Sequence, residues 1–218
     1  MNIGTALWLM PKKHSPLYDA LHNITDGLKP LFDDGHTFEP HVTITTNISV
    51  SNQAQVDEIL NRALAASRAV PAINVVFTGL SYGSQFFKKV YFTVEPNAEL
   101  VSLARICREE FVTTPKAVSS EKHYAALPPQ DRQNIADRAL REAAEWVRTE
   151  YDPHLSLVYS DSYPVDEASQ RTIDIRLSDV FGSEYATKGL GWTNGRLQLV
   201  RCEGPVEEWE VLGYRDIN

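Results

Sequence analysis

Apolar residues recur along this chain in two periods and a few short continuous runs. Residues 6–10 are all apolar and stop at Pro11, which reads as a buried strand. Leu17, Leu21, Ile24, Leu28 and Leu31 repeat at helical spacing after Ser15-Pro16, so a helix starts there. Residues 38–46 read as a strand. Residues 51–67 read as an amphipathic helix with Val56, Ile59, Leu60, Ala63 and Leu64 on one face. Residues 73–82 and 86–94 suit a hairpin around Gly83-Ser84. Asn97 is placed to cap a helix that turns Leu100, Leu103, Ala104, Cys107 and Phe111 inward.

The texture then changes. Residues 113–129 are polar and Pro-bearing and read as a loop; residues 130–149 read as a charged helix with a thin stripe of Ile135, Ala139, Leu140, Ala143 and Val147. A strand is expected over 154–159, a helix over 165–174, and strands over 176–181, 195–200 and 209–214. Strands often follow one another through tight turns, which predicts an antiparallel α+β fold rather than a doubly wound parallel sheet.

Composition narrows the function. The 218 residues make one domain with ample core, 43% hydrophobic and 23% charged. No run approaches the roughly 20 apolar residues of a membrane span, and no secretory leader is expected. The net charge of −8 repels a long polyanion but leaves a small anionic nucleotide open. Two cysteines, Cys107 and Cys202, are too few for a disulfide framework or a thiolate zinc site and read as buried free thiols. No phosphate-cradling Gly-rich loop, nucleophile elbow or zinc helix occurs.

One feature carries chemistry. Glu39-Pro40-His41-Val42-Thr43-Ile44 and Asp152-Pro153-His154-Leu155-Ser156-Leu157 share a six-class pattern: acid, proline, histidine, aliphatic, hydroxyl, aliphatic. On a strand, residues i and i+2 share a face. His41 and Thr43 therefore point one way, as do His154 and Ser156, while Val42, Ile44, Leu155 and Leu157 point into the core. A facing imidazole pair suits acid–base hydrolysis, because histidine exists in both proton states near neutral pH. Hydroxyls beside it suit hydrogen bonds to phosphate oxygens. With those groups no metal or other cofactor is expected.

These motifs resemble the two-histidine (2H) phosphoesterase superfamily, and most closely its fungal-type cyclic phosphodiesterases. The likeness extends to residues 6–11, to Gly83-Ser84-Gln85-Phe86-Phe87-Lys88-Lys89-Val90-Tyr91 and to Trp209-Glu210-Val211. The resemblance implies a single bilobed domain over residues 1–218: two pseudo-symmetric lobes, each an antiparallel sheet with helices on its outer face, and a catalytic cleft between them. It implies that His41, Thr43, His154 and Ser156 are catalytic. Tyr159 is expected near the phosphate, although three residues past Ser156 an ideal strand would aim it at the core. Trp8 and Phe87 are expected to bind substrate, with core packing as the alternative. Residues 113–149 depart from compact members as an extra loop–helix segment.

The implied substrates are nucleoside 2′,3′-cyclic phosphates and ADP-ribose 1″,2″-cyclic phosphate, by-products of tRNA splicing. An intracellular, cytoplasmic monomer is expected, with peripheral association with an organelle such as the Golgi as the alternative, and with no long nucleic acid and no membrane span as partner. Two other readings stay open: a 2H enzyme of RNA ends, of the 2′–5′ ligase or exonuclease kind, and a nucleotide-binding module without turnover. Lys88 and Lys89 could supply local positive potential, but a solvated pair is the reading taken for them. His14, His22, His36 and His123 read as surface or loop residues, and Asp33-Asp34 and Glu207-Glu208 as solvated charge.

Overall fold

Short polar side chains start four of the helices. Ser15 accepts a hydrogen bond from Tyr18 N at the head of α1 (Pro16–Leu28), and Asn52 from Gln55 N at α2 (Gln53–Arg68). Asn97 does the same for α3 (Ala98–Arg108), and Asp166 for α6 (Glu167–Phe181). Each such cap is worth about 1 kcal/mol. The computed structural model describes residues 3–218.

The described residues form eight strands besides the helices: β1 (Gly4–Met10), β2 (Val42–Ile48), β3 (Asn74–Tyr82), β4 (Val90–Val94), β5 (His154–Val158), β6 (Gly191–Thr193), β7 (Gly195–Cys202) and β8 (Glu210–Ile217). They run in the order β6-β3-β4-β5-β2-β1-β7-β8, and every pairing is antiparallel. The fold is thus α+β. Where two separate sheets were expected, the strands form one curled sheet whose two four-strand halves meet between β5 and β2. That junction is slight: Val42 opposite Leu155 is the one registered pair between them among the described residues. The strands bearing the two histidine motifs are therefore neighbours, free to splay beyond that point.

The two faces of the sheet differ. Leu7, Leu9, Val42, Ile44, Leu155, Leu157, Leu197 and Leu199 are fully buried and meet the apolar stripes of the helices in one large core. The alternation expected of both motifs holds, since their aliphatic residues all enter this core. The opposite face of β1 carries Ala6, Trp8 and Met10, packed with Tyr18, Val200 and Cys202. α2 lies close over β8: a Cβ built at Gly213 would stand 2.9 Å from a Leu60 methyl. Both cysteines are buried and free.

Two expectations about secondary structure fail. Residues 176–181 are not a strand, because α6 continues through them to Gly182 at φ +89°. Ile173 and Leu177, one turn apart, are both fully buried, so the helical face outlasts the local alternation, which leaves Ile175 and Val180 in solvent. Residues 113–129 are not all loop. α3 passes through a π turn (Glu109–Thr113) into a short helix, α4 (Thr114–Ser119), with Pro115 in its first turn. α5 (Pro129–Thr149) returns along it. Ala117, Ile135 and Ala139 form a small core of their own, and Thr113 Oγ1 donates to Ala139 O at 2.9 Å.

Candidate active site

Proline precedes each motif histidine, and the main chain there is turned so that a carbonyl two residues back meets the imidazole. His41 Nδ1 lies 2.6 Å from Glu39 O, and His154 Nδ1 lies 2.7 Å from Asp152 O. A carbonyl only accepts, so Nδ1 carries the hydrogen in both rings and Nε2 is the working nitrogen. Glu39 is itself fixed. Its carboxylate accepts from Tyr18 OH and Gln198 Nε2, both at 2.7 Å, and pairs with Lys13 at 2.9 Å. Burial alone would raise the Glu39 pKa, but these donors outweigh it and hold the carboxyl below its ordinary value.

The two rings sit in different surroundings. His41 is 5% exposed and stacked on Trp8, with centroids 3.6 Å apart. Phe38 meets it edge-on, and Tyr159 OH stands 3.3 Å from its Nε2. Burial first, with a smaller push from the nearby His154, brings the His41 pKa down to about 4 against the opposing effect of the Glu39 carbonyl. His154 is less enclosed, with Tyr91 edge-on at 5.6 Å. Burial first, then the Lys88 ammonium, hold its pKa below the ordinary histidine value.

His41, Thr43, His154 and Ser156 all line one cavity of about 230 Å³, and so do Trp8, Phe87 and Tyr159. The seven residues singled out in the sequence are brought together. Their postures differ from simple expectation in three ways. Ser156 Oγ donates to Phe87 O at 2.5 Å, so its proton points at the main chain. Trp8 is 3% exposed and its face is occupied by His41, so it reaches the cavity as the wall behind that ring. Tyr159 escapes the core because β5 ends at Val158; beyond that end its ring stacks on Phe38 at 3.7 Å. A larger depression of about 460 Å³, over Arg108, Lys116, Arg141 and Trp146 on the helical segment, contains neither histidine.

Comparison with known proteins bears on what this cavity is for. The family described as "Cyclic phosphodiesterase-like protein" matches residues 1–217. The chain belongs to that family. It is 56% identical over 215 residues to a 2′,3′-cyclic-nucleotide 3′-phosphodiesterase of Yarrowia lipolytica, covering 98% of this chain and 100% of the relative. Proteins of the same name from Candida albicans and Saccharomyces cerevisiae are 37% and 31% identical, each covering 99% of this chain and 100% of the relative.

Several cavity residues of this cyclic phosphodiesterase-like chain escaped the sequence reading. Trp209 lines the cavity just ahead of β8, 5.9 Å from Phe87 between ring centroids, and nothing in its spacing marks it as more than a strand residue. The lysines are not a solvated pair. Lys88 lines the cavity and pairs with the Asp152 carboxylate, and Lys89 is fully buried with Nζ 3.4 Å from Ser84 O. Asp34 and Glu207 are likewise engaged rather than free: Asp34 accepts from Ser160 Oγ and Asp161 N, and Glu207 meets His36 Nδ1 at 2.5 Å. No described helix is long and apolar enough to cross a membrane.

Proposed function

We propose that this chain is a cyclic phosphodiesterase that opens nucleoside 2′,3′-cyclic phosphates to nucleoside 2′-phosphates by histidine acid–base chemistry, with no metal. The observation that carries the reading is the shared cavity, onto which two imidazoles of the same tautomer and two hydroxyls face. Family membership and the names of the fungal relatives support the same activity.

In the reaction, a water oxygen attacks phosphorus and the P–O3′ bond breaks. One imidazole takes the proton from the water and the other gives a proton to the departing O3′. Each transfer is worth roughly 10²–10⁴-fold. We assign the base to His41, because its deep burial keeps Nε2 unprotonated near neutral pH. His154, less enclosed, is the acid; an anionic phosphate beside it favours its protonated form. Thr43 and Ser156 donate to the non-bridging oxygens as charge builds there, Ser156 after its hydroxyl swings away from Phe87 O. Phe87 and Trp209, both half-buried, leave ring surface at the rim for a base, while the 230 Å³ cavity suits the phosphate and its ribose.

The same chemistry applies to ADP-ribose 1″,2″-cyclic phosphate, and with it a role in the by-products of tRNA splicing. One chain supplies both histidines, which supports an active monomer, and each four-strand half of the sheet carries one motif, which supports a two-lobed arrangement. The test is turnover of a nucleoside 2′,3′-cyclic phosphate in excess EDTA, with the product assigned by phosphorus NMR. A 2′-phosphate formed at an unchanged rate is expected. Chelator-sensitive turnover restored by added metal, or a 3′-phosphate product, would overturn the mechanism.

A further inference from the structure

The reacting phosphodiester is an anion, and the protein that receives it carries a net charge of −8. Both histidines are held toward their neutral forms by burial. The walls of the cavity are otherwise aromatic, hydroxyl and amide side chains, with Ile3 as the one aliphatic. Lys88 is the one permanently charged side chain lining it among the described residues. Positive charge for the anion therefore has a single standing source.

Lys88 is also poised to give that charge up to a ligand. It sits at the end of the 3₁₀ turn Phe86–Lys88, in the segment that also supplies Gln85 and Phe87 to the cavity. The next residue, Lys89, is buried and reaches back to Ser84 O, so the turn is anchored by one lysine and presents the other. The Lys88 side chain is 18% exposed, whereas its present partner, the Asp152 carboxylate, is 70% exposed. Solvent screens a pair with so wet a carboxylate, so the ammonium exchanges at small cost for an anion in the cavity. The ammonium also rests 4.8 Å from the centre of the Tyr91 ring, which in turn meets His154 edge-on.

We infer that Lys88 is a substrate-binding residue whose ammonium passes from the Asp152 carboxylate to the phosphate of the entering cyclic diester. The inference rests on the phosphodiesterase reading and adds to it the residue that recognises the substrate's charge. The groups around His154 are Lys88 from the turn, Asp152 preceding its own strand, Tyr91 from β4 and His41 across the cleft. Of these, Lys88 is the fixed positive charge, so removing it raises the proton affinity of His154.

The experiment compares wild type, Lys88→Gln and Lys88→Arg in steady-state kinetics over a range of pH and salt, and measures inorganic phosphate binding by calorimetry. Lys88→Gln is expected to raise KM on the order of 10–100-fold, to weaken phosphate binding by a similar factor, and to flatten the dependence of KM on salt. Its pH profile should move upward on the limb that belongs to His154. Lys88→Arg should restore most of the KM. An unchanged KM and unchanged phosphate binding in Lys88→Gln would overturn the inference, as would equal impairment of both variants. If wild type shows no turnover, the phosphodiesterase reading fails instead, and phosphate binding still reports on Lys88.

Discussion

Trp8 on β1 and His41, just ahead of β2, stack 3.6 Å apart and 8° from parallel, so that the tryptophan backs the most deeply buried histidine. The indole excludes water from one side of the imidazole, and its own N–H has no partner. Trp8→Phe keeps an aromatic wall and should lower turnover less than tenfold. Trp8→Ala should cost about 3–5 kcal/mol of stability and let water reach the ring, raising the His41 pKa. Urea melts and imidazole NMR titration of the two variants check both halves; a His41 pKa unmoved in Trp8→Ala would show that the stack does not control it.

Folding stability should fall on mild acidification because of His41. Its folded pKa of about 4 lies below the ordinary 6.5, so the unfolded chain takes up a proton that the folded chain refuses. The loss begins as pH drops through about 6.5 and is complete below about 4, on the order of 3 kcal/mol in all. The difference in unfolding free energy between wild type and His41→Gln, measured from pH 7 to 4, should follow that curve. A flat difference would mean that the folded ring titrates like an exposed one.

The proposed acid–base pair predicts non-additive kinetics. His41→Ala and His154→Ala should each lower kcat by roughly 10²–10⁴-fold, and the double variant by far less than the product. Thr43→Ala and Ser156→Ala should cost less, roughly 10²–10³-fold, since a donor goes but the proton relay stays. His14→Ala and His123→Ala are controls. Activity that survives the first two changes and collapses in a control would identify another pair.

Tyr159→Phe separates ring from hydroxyl. The ring stacks on Phe38, so stability should stay within about 1 kcal/mol of wild type. The hydroxyl stands 3.3 Å from His41 Nε2, a long contact, and its removal should lower kcat by roughly 2–10-fold. A loss approaching that of His41→Ala would instead make Tyr159 a participant in proton transfer.

What was legible in the sequence was what local rules govern. The i, i+2 spacing placed His41 with Thr43 and His154 with Ser156, and the intervening aliphatics went to the core as the period requires. Asn97 announced its helix by capping chemistry. What was not legible depended on partners distant in sequence. Residues 173–178 alternate apolar and polar as a strand does, yet the buried Ile173 and Leu177, one turn apart, hold the segment helical through Phe181. Lys88 and Lys89 look alike in sequence, and the turn sends one into the interior and the other to the cavity. Trp209 reaches the cavity from just ahead of β8, where the strand that follows it pairs with β7, a relation no short window contains.

The carbonyl contacts to the two imidazoles have a consequence for how this site withstands change. In many histidine sites a carboxylate side chain fixes the tautomer, and one substitution there unsettles the ring. Here the acceptors are Glu39 O and Asp152 O, atoms that every amino acid possesses. Substitution at either acid can alter the field around a ring but cannot delete the atom that orients it. The vulnerability shifts to backbone direction, and so to Pro40 and Pro153, whose rings restrict the path of the chain between carbonyl and histidine. Around these histidines, side-chain chemistry is free to drift where main-chain geometry is not.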